Sequence, residues 1–403
     1  MIKYFLLSRR GASPAALLAF AVLLCGCGKS EPARFRLNML AMEQNEVPPS
    51  HQQQIADILG AMYGTPDDPF ALPESGLDLA KLEVAAGSVS SDELGKELGL
   101  FRRHCVHCHG ISGDGAGPTA AFLNPYPRDY RQGVFKFKST ERAAKPTRED
   151  LREILVHGIP GTAMPSFALL PDDQIDALVE YVVYLSMRGE TETELTRTVF
   201  DLDEKDDGTL VDMPTDRGFL VDEILTRIAS QWEQAEDQII APDPEFAPPV
   251  DRDPQQLAVS VAKGRDLFYG DRANCVKCHG PSALGDGQTT DYDDWNKMVK
   301  DFKDAHEDVN VRELGALPVR TIEPRNLRLG VYRGGRRPID LYRRIHAGIN
   351  GVPMPGVGPA QPGQQGTLSP EEIWNLVDYI RSLPFESASQ PPQLPPGLER
   401  ERL

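Results

Sequence analysis

The sequence predicts a mainly α-helical protein, built from two tandem copies of one small domain joined by an acidic, partly helical linker. Three observations predict it. A Cys-x-x-Cys-His pentad occurs twice, as Cys105-Val106-His107-Cys108-His109 and Cys275-Val276-Lys277-Cys278-His279. The same ordered set of features follows each pentad. Each set closes in a stretch with apolar residues at helical spacing: Ile175, Leu178, Val179, Val182 and Leu185 in the first, Ile373, Leu376, Val377, Ile380 and Leu383 in the second.

The repeats can be aligned element by element. Helices are expected over Asp92–Arg103 and Leu257–Tyr269, just ahead of the pentads. Gly-rich loops follow, Gly113-Asp114-Gly115 and Gly285-Asp286-Gly287, then the Arg-containing segments Pro127-Arg128-Asp129-Tyr130-Arg131-Gln132-Gly133 and Pro324-Arg325-Asn326-Leu327-Arg328-Leu329-Gly330. Next come a helix ending at His157 or His346 and the turns Gly158 to Pro165 and Gly348 to Pro355. The closing helices start at Pro171-Asp172-Asp173 and at Ser369-Pro370-Glu371-Glu372, with acidic residues in the first turn where the helix dipole favours them. Tyr181 and Tyr379 hold equivalent places. The domains are therefore 91–188 and 257–384.

The remaining segments read differently. Residues 1–27 form a leader: Lys3, Arg9 and Arg10, then an apolar run from Ala15 to Leu24 that is too short for a comfortable membrane span. Leu24-Cys25-Gly26-Cys27 resembles a bacterial lipobox, which would make Cys27 the acylated N-terminus; an ordinary secretory signal or an uncleaved anchor is the alternative. Residues 28–90 carry one expected helix from Ser50 to Tyr63, capped by Ser50 and Gly64, with Ile55, Ile58, Leu59 and Met62 on its buried edge. The linker, 189–256, has one expected helix over Val221–Ile240 bearing Ile224, Ile228, Trp232 and Ala235. Residues 385–403 are a Pro-rich tail. A net charge of −17 argues against nucleic acid as a partner and suits a basic docking patch on another protein.

The pentads carry the chemistry. Two thiols at this spacing add across the two vinyl groups of one porphyrin, and the next residue puts an imidazole beneath the iron. A single pentad is also compatible with a zinc or redox Cys-x-x-Cys. Two, each with matched downstream elements, point to two covalently bound haem c groups, through Cys105 and Cys108 and through Cys275 and Cys278, with His109 and His279 as proximal ligands. Met164 and Met354, each after a Gly-rich turn and before Pro, are the expected sixth ligands, because a soft neutral thioether stabilises ferrous iron. His157 and His346 are the rival ligands, although each sits where it would cap a helix end. Arg128 and Arg325, aided by Lys136 and Lys138, are candidates for pairing with haem propionates; the alternative is plain surface arginine. Residues 291–322 are an insertion in the second repeat, expected to form a surface lobe near the haem edge, for partner docking or as decoration. Its aspartates lack the spacing of a calcium site.

This ordered set resembles the class I cytochrome c domain, over about half of the residues in two separate copies. The resemblance implies small helical domains wrapped round a haem, with first and last helices crossing and the second axial ligand in the loop before the last helix. It supplies Met164 and Met354 for that role. It also implies a proline carbonyl that accepts the proximal imidazole N–H. Pro118 fits this in the first repeat, whereas Gln288-Thr289 stands in the corresponding place of the second.

The function expected is that of a two-haem electron carrier, lipid-anchored on the periplasmic side of a bacterial membrane. Its redox partners would be a quinol-oxidising complex, a terminal oxidase or a dehydrogenase. The other readings are a two-haem enzyme acting on peroxide or a small sulfur compound, which needs an open coordination position, and the cytochrome subunit of a dehydrogenase.

Overall fold

The computed structural model describes residues 33–87, 99–199, 205, 208–211, 215–249, 251–359 and 366–389, and among them it has helices and no strand. Residues 35–403 form one body and Met1–Arg34 another, of which only Ala33 and Arg34 are described. Cys27 and residues 92–98 of the first expected helix lie outside the described residues. No helix among the described residues is long and apolar enough to cross a membrane.

The N-terminal extension folds into α1 (Met39–Gln44), α2 (Pro49–Tyr63) and α3 (Leu79–Ala85). Ser50 does not cap α2. Pro48 takes the cap position and Pro49 the first helical one, where a missing N–H is harmless, so Ser50 falls inside the first turn. The apolar edge read from the sequence is buried. It packs on the first repeat, where the Tyr63 hydroxyl lies 2.7 Å from Thr191 Oγ1.

The first repeat comprises α4 (Leu100–His104), α5 (Val106–His109), α6 (Arg148–His157) and α7 (Asp172–Thr198). A capping box of Thr147 and Asp150 starts α6. Acidic residues at Asp172 and Asp173 start α7, as the sequence indicates. However, α7 runs on to Thr198, past the boundary drawn at residue 188. One face of the added turns, Thr191, Glu192, Leu195 and Thr196, is buried against the extension although the stretch is polar in sequence. Thr191, Thr193, Thr196 and Thr198 each return their hydroxyl to the carbonyl four residues back. Arg188 pairs with Glu192 at 3.2 Å inside this layer, with the Phe35 ring stacked on the guanidinium at 4.6 Å.

The described part of the linker beyond α7 carries a helix. A π-helical turn, Gly218–Leu225, leads into α8 (Thr226–Glu233), and Ile224, Ile228, Trp232 and Ala235 are all buried. Trp232 meets the Phe135 ring edge-on at 6.0 Å and donates its indole N–H to Glu190. Beyond it, the chain stitches the repeats together. The Ile240 amide donates to the Ser139 carbonyl at 2.9 Å, the Ile240 carbonyl accepts from Arg343 at 3.1 Å, and the Ile240 side chain joins the second core.

The second repeat comprises α9 (Pro254–Tyr269), α10 (Val276–His279), α11 (Asp294–Ala305), α12 (Pro338–Ala347) and α13 (Pro370–Ser382). Helices α9 and α13 cross at Gly264, where any Cβ would collide with the Asn375 carbonyl. Beside the crossing, Ser260 Oγ donates to Asp378 at 2.6 Å and Arg252 grips the same carboxylate with both terminal nitrogens.

The insertion is not a free lobe. Val299, Phe302 and Val311 form a small core with Leu40 of the extension. Arg320 donates to the Leu123 and Ala121 carbonyls of the first repeat at 2.7 and 2.8 Å and stacks on Tyr126 at 4.3 Å. Sequence periodicity shows that such a segment is amphipathic but not which surface receives it.

Candidate functional site

Each pentad forms a short helical turn held by the loop behind it. The His109 amide donates to the Cys105 carbonyl at 2.9 Å, and the Gly115 and Gly117 amides return to the His109 and Cys108 carbonyls. In the second repeat, the Gly285 and Gln288 amides do the same for His279 and Cys278. Both Gly-rich loops thus satisfy the carbonyls at the end of the pentad turn and fix the direction of the histidine.

That direction is set by a carbonyl, though not by the expected one. His109 Nδ1 donates to the Arg128 carbonyl at 3.0 Å, and His279 Nδ1 to the Arg325 carbonyl at 3.2 Å. Pro118 is not the acceptor. The second repeat, which lacks a proline there, is not deficient either. The signal was in the sequence: Pro-Arg occurs in both repeats after the loop, whereas the proline at 118 occurs in one. The bond fixes the tautomer and leaves Nε2 of each ring for a metal. Burial drives the His109 ring down to about 4, against the pull of the Arg128 carbonyl, and lowers His279 in the same direction. Both shifts favour the neutral ring that an iron ligand requires.

Each pair of thiols shares one short helical turn, with the first cysteine at its N-cap. Burial pushes Cys105 up to about 12 and Cys275 up to about 11, with Cys108 and Cys278 in the same turns. Among the described residues, no group of three or more His, Cys, Asp or Glu could hold a metal ion, so neither pentad gains the extra ligands of a zinc site there.

Met164 and Met354 occupy matching turns ahead of α7 and α13. The Ile159 amide donates to the Met164 carbonyl at 3.1 Å and the Ile349 amide to the Met354 carbonyl at 3.2 Å. The rival histidines lie elsewhere. His157 is exposed, 3.6 Å from Glu153. His346 is buried beside the Tyr342 ring, 3.6 Å from Glu141 of the first repeat. Among the described residues neither ring donates to a helix-end carbonyl, so the capping role read from the sequence is corrected.

The arginines add a backbone role that the sequence reading did not include. Their carbonyls orient the histidines, and their guanidinium groups reach towards the opposite repeat. Arg128 lies 3.8 Å from where a Cβ at Gly351 would be, and a Cβ at Gly161 would collide with Arg325. Among the described residues, the Arg128 side chain makes no ion pair or hydrogen bond, and burial lowers its pKa. Arg325 Nε donates to the Val331 carbonyl at 2.9 Å. Lys136 pairs with Asp293 at 3.0 Å, while Lys138 turns inward to Thr140 and nearby carbonyls. Tyr130 stood in the repeated segment without a role, and it stacks on His109 with ring centroids 4.7 Å apart; Leu327 holds that place in the second repeat.

Two helical repeats, each with a thiol pair, a carbonyl-oriented histidine and a methionine turn, define a protein that holds haem covalently and transfers electrons. The chain belongs to the cytochrome c family: the Cytochrome c family model matches residues 93–186 and 261–384, more than half of its length. No curated protein matches the chain. Among solved structures, it is similar to a chain of the Kuenenia stuttgartiensis reducing HAO-like protein complex Kustc0457/Kustc0458, at 22% identity over 70% of this chain and 93% of that one, with a TM-score of 0.44. A likeness that distant has no bearing on function.

Proposed function

We propose that this chain is a two-haem electron carrier. It would work between membrane-associated respiratory partners on the periplasmic side of a bacterial membrane, held there by acyl chains on Cys27. The observation that carries this reading is the duplication of the whole site: pentad, proximal carbonyl and methionine turn recur with matching hydrogen bonds. When bound, each haem supplies a one-electron iron couple. The chain's own residues would hold it: Cys105, Cys108, Cys275 and Cys278 by thioethers, and His109, His279, Met164 and Met354 as iron ligands. Two sites that each supply both a histidine and a methionine to the iron would leave little room there for a substrate, which favours carriage over catalysis. The acidic surface suits transient docking to basic patches on a quinol-oxidising complex, a terminal oxidase or a dehydrogenase.

A pyridine haemochrome assay on the mature protein is expected to give two haems per chain. The near-infrared band of methionine-bound ferric iron is expected at both, with about half its amplitude lost in Met164→Ala and in Met354→Ala. A resting high-spin signal from one iron would replace the carrier reading with an enzymatic one. Labelling with a lipid precursor tests Cys27, and incorporation that survives Cys27→Ala would reject the anchor.

A further inference from the structure

The axial turn of the second repeat is held from the first. Arg142 Nη1 donates to the Met354 carbonyl at 2.8 Å and Nη2 to the Val352 carbonyl at 3.2 Å. The two acceptors bracket Pro353-Met354, so this backbone cannot swing outwards without losing both bonds. The arginine stands on a fixed base. Ser139 donates to Asp150 through its amide and its hydroxyl at 2.9 and 3.0 Å, and the Glu141 amide donates to the Gln238 carbonyl at 2.9 Å. Arg142 is exposed, but its planar fork makes two hydrogen bonds from one ordered side chain, so less freedom is lost per bond.

The reverse contact is weaker. Arg333 reaches the Gly161 carbonyl at 3.5 Å with one nitrogen, and Arg325 packs against Gly161 with no hydrogen bond to that turn among the described residues. The first axial turn relies on its own contacts, such as the Met164 amide donating to Thr162 Oγ1 at 3.1 Å.

We propose that Arg142 is a positioning residue for the second haem: it keeps the Met354 sulfur within bonding reach of an iron carried by the other repeat. The inference rests on the two-haem reading above. It makes the second axial bond depend on the docking of the first repeat, and not the converse.

The test uses the full mature chain loaded with haem. In a Met164→Ala background, the remaining near-infrared band reports the second haem alone. Adding Arg142→Ala there is expected to shrink that band and to speed cyanide binding at the second iron about tenfold, the factor that corresponds to about 1.4 kcal/mol of lost hydrogen bonding. In a Met354→Ala background, the band reports the first haem, and Arg142→Ala is expected to leave it unchanged. Arg142→Lys, which keeps one donor, is expected to restore part of the second-haem band. An unchanged band in the first background overturns the proposal. So does an equal loss in both backgrounds, since that is general loosening and not positioning. The single methionine variants are measured first; if neither removes a band, the ligand reading itself fails and this proposal falls with it.

Discussion

The first repeat is enclosed by several segments from outside its own domain, whereas the second rests mainly on its own helix crossing, with the linker's Ile240 and a few first-repeat side chains, Arg142 among them, reaching it. In the first, α1 to α3, the linker and the insertion all pack onto the haem domain, and its closing helix is lengthened to receive them. In the second, α9 and α13 meet at a glycine, and Arg252 and Ser260 bolt the crossing at Asp378. The proximal geometry is nevertheless the same in both, to within 0.2 Å in the histidine–carbonyl distance. The comparison teaches that a duplicated site can keep its coordinating geometry while its surroundings diverge. Burial, ring contacts and grip on the axial turn, all of which tune a haem, are where the two differ.

The largest way to break this comparison is to remove one haem. Replacing Cys275 and Cys278 by serine is expected to halve the pyridine haemochrome yield per chain. The first repeat should keep its haem and its near-infrared band, because its core is a separate cluster. Loss of both haems would mean that the repeats do not mature independently.

A smaller effect is expected at the helix crossing. Gly264→Ala forces a methyl group against the Asn375 carbonyl, which overpacks the second core at a cost of about 1–3 kcal/mol. Denaturation followed at each haem should show the second repeat unfolding at lower denaturant while the first is unmoved. Equal shifts at both haems would show that the crossing supports the whole body.

The smallest change sharpens the contrast at the proximal rings. Tyr130→Leu gives the first repeat the residue that the second has at this position, and removes the ring stacked on His109. The expected stability loss is about 0.5–1.5 kcal/mol. The potential of the first haem should move towards that of the second in a redox titration. An unmoved potential would exclude Tyr130 as a source of the difference between the two sites.

Much of the fold was legible in the sequence because it repeats. The apolar stripes of α7 and α13, the acidic first turns, the pentads and the methionine turns stand at matched positions, and each is a local pattern with a local cause. Illegible parts were those whose partners are distant. The last turns of α7 are rich in threonine and glutamate and read as linker; they are helix because the extension covers one face of them and their hydroxyls find carbonyls four residues back. The insertion was amphipathic in sequence, but only the structure identifies Tyr126 and the Ala121 and Leu123 carbonyls as its seat. Pro118 was an acceptor by resemblance, and the repeated Pro-Arg was the better guide.

The sequence by itself determined the donor atoms, their spacing and the existence of two helical copies, since covalent chemistry and helix periodicity act over a few residues. Tertiary structure decided which carbonyl orients each histidine, which segments enclose the first site, and that Arg142 of one repeat holds the methionine turn of the other. Those contacts join residues from 19 to 212 positions apart. No periodicity records them, because hydrogen bonds and packing depend on where the chain returns in space and not on its order.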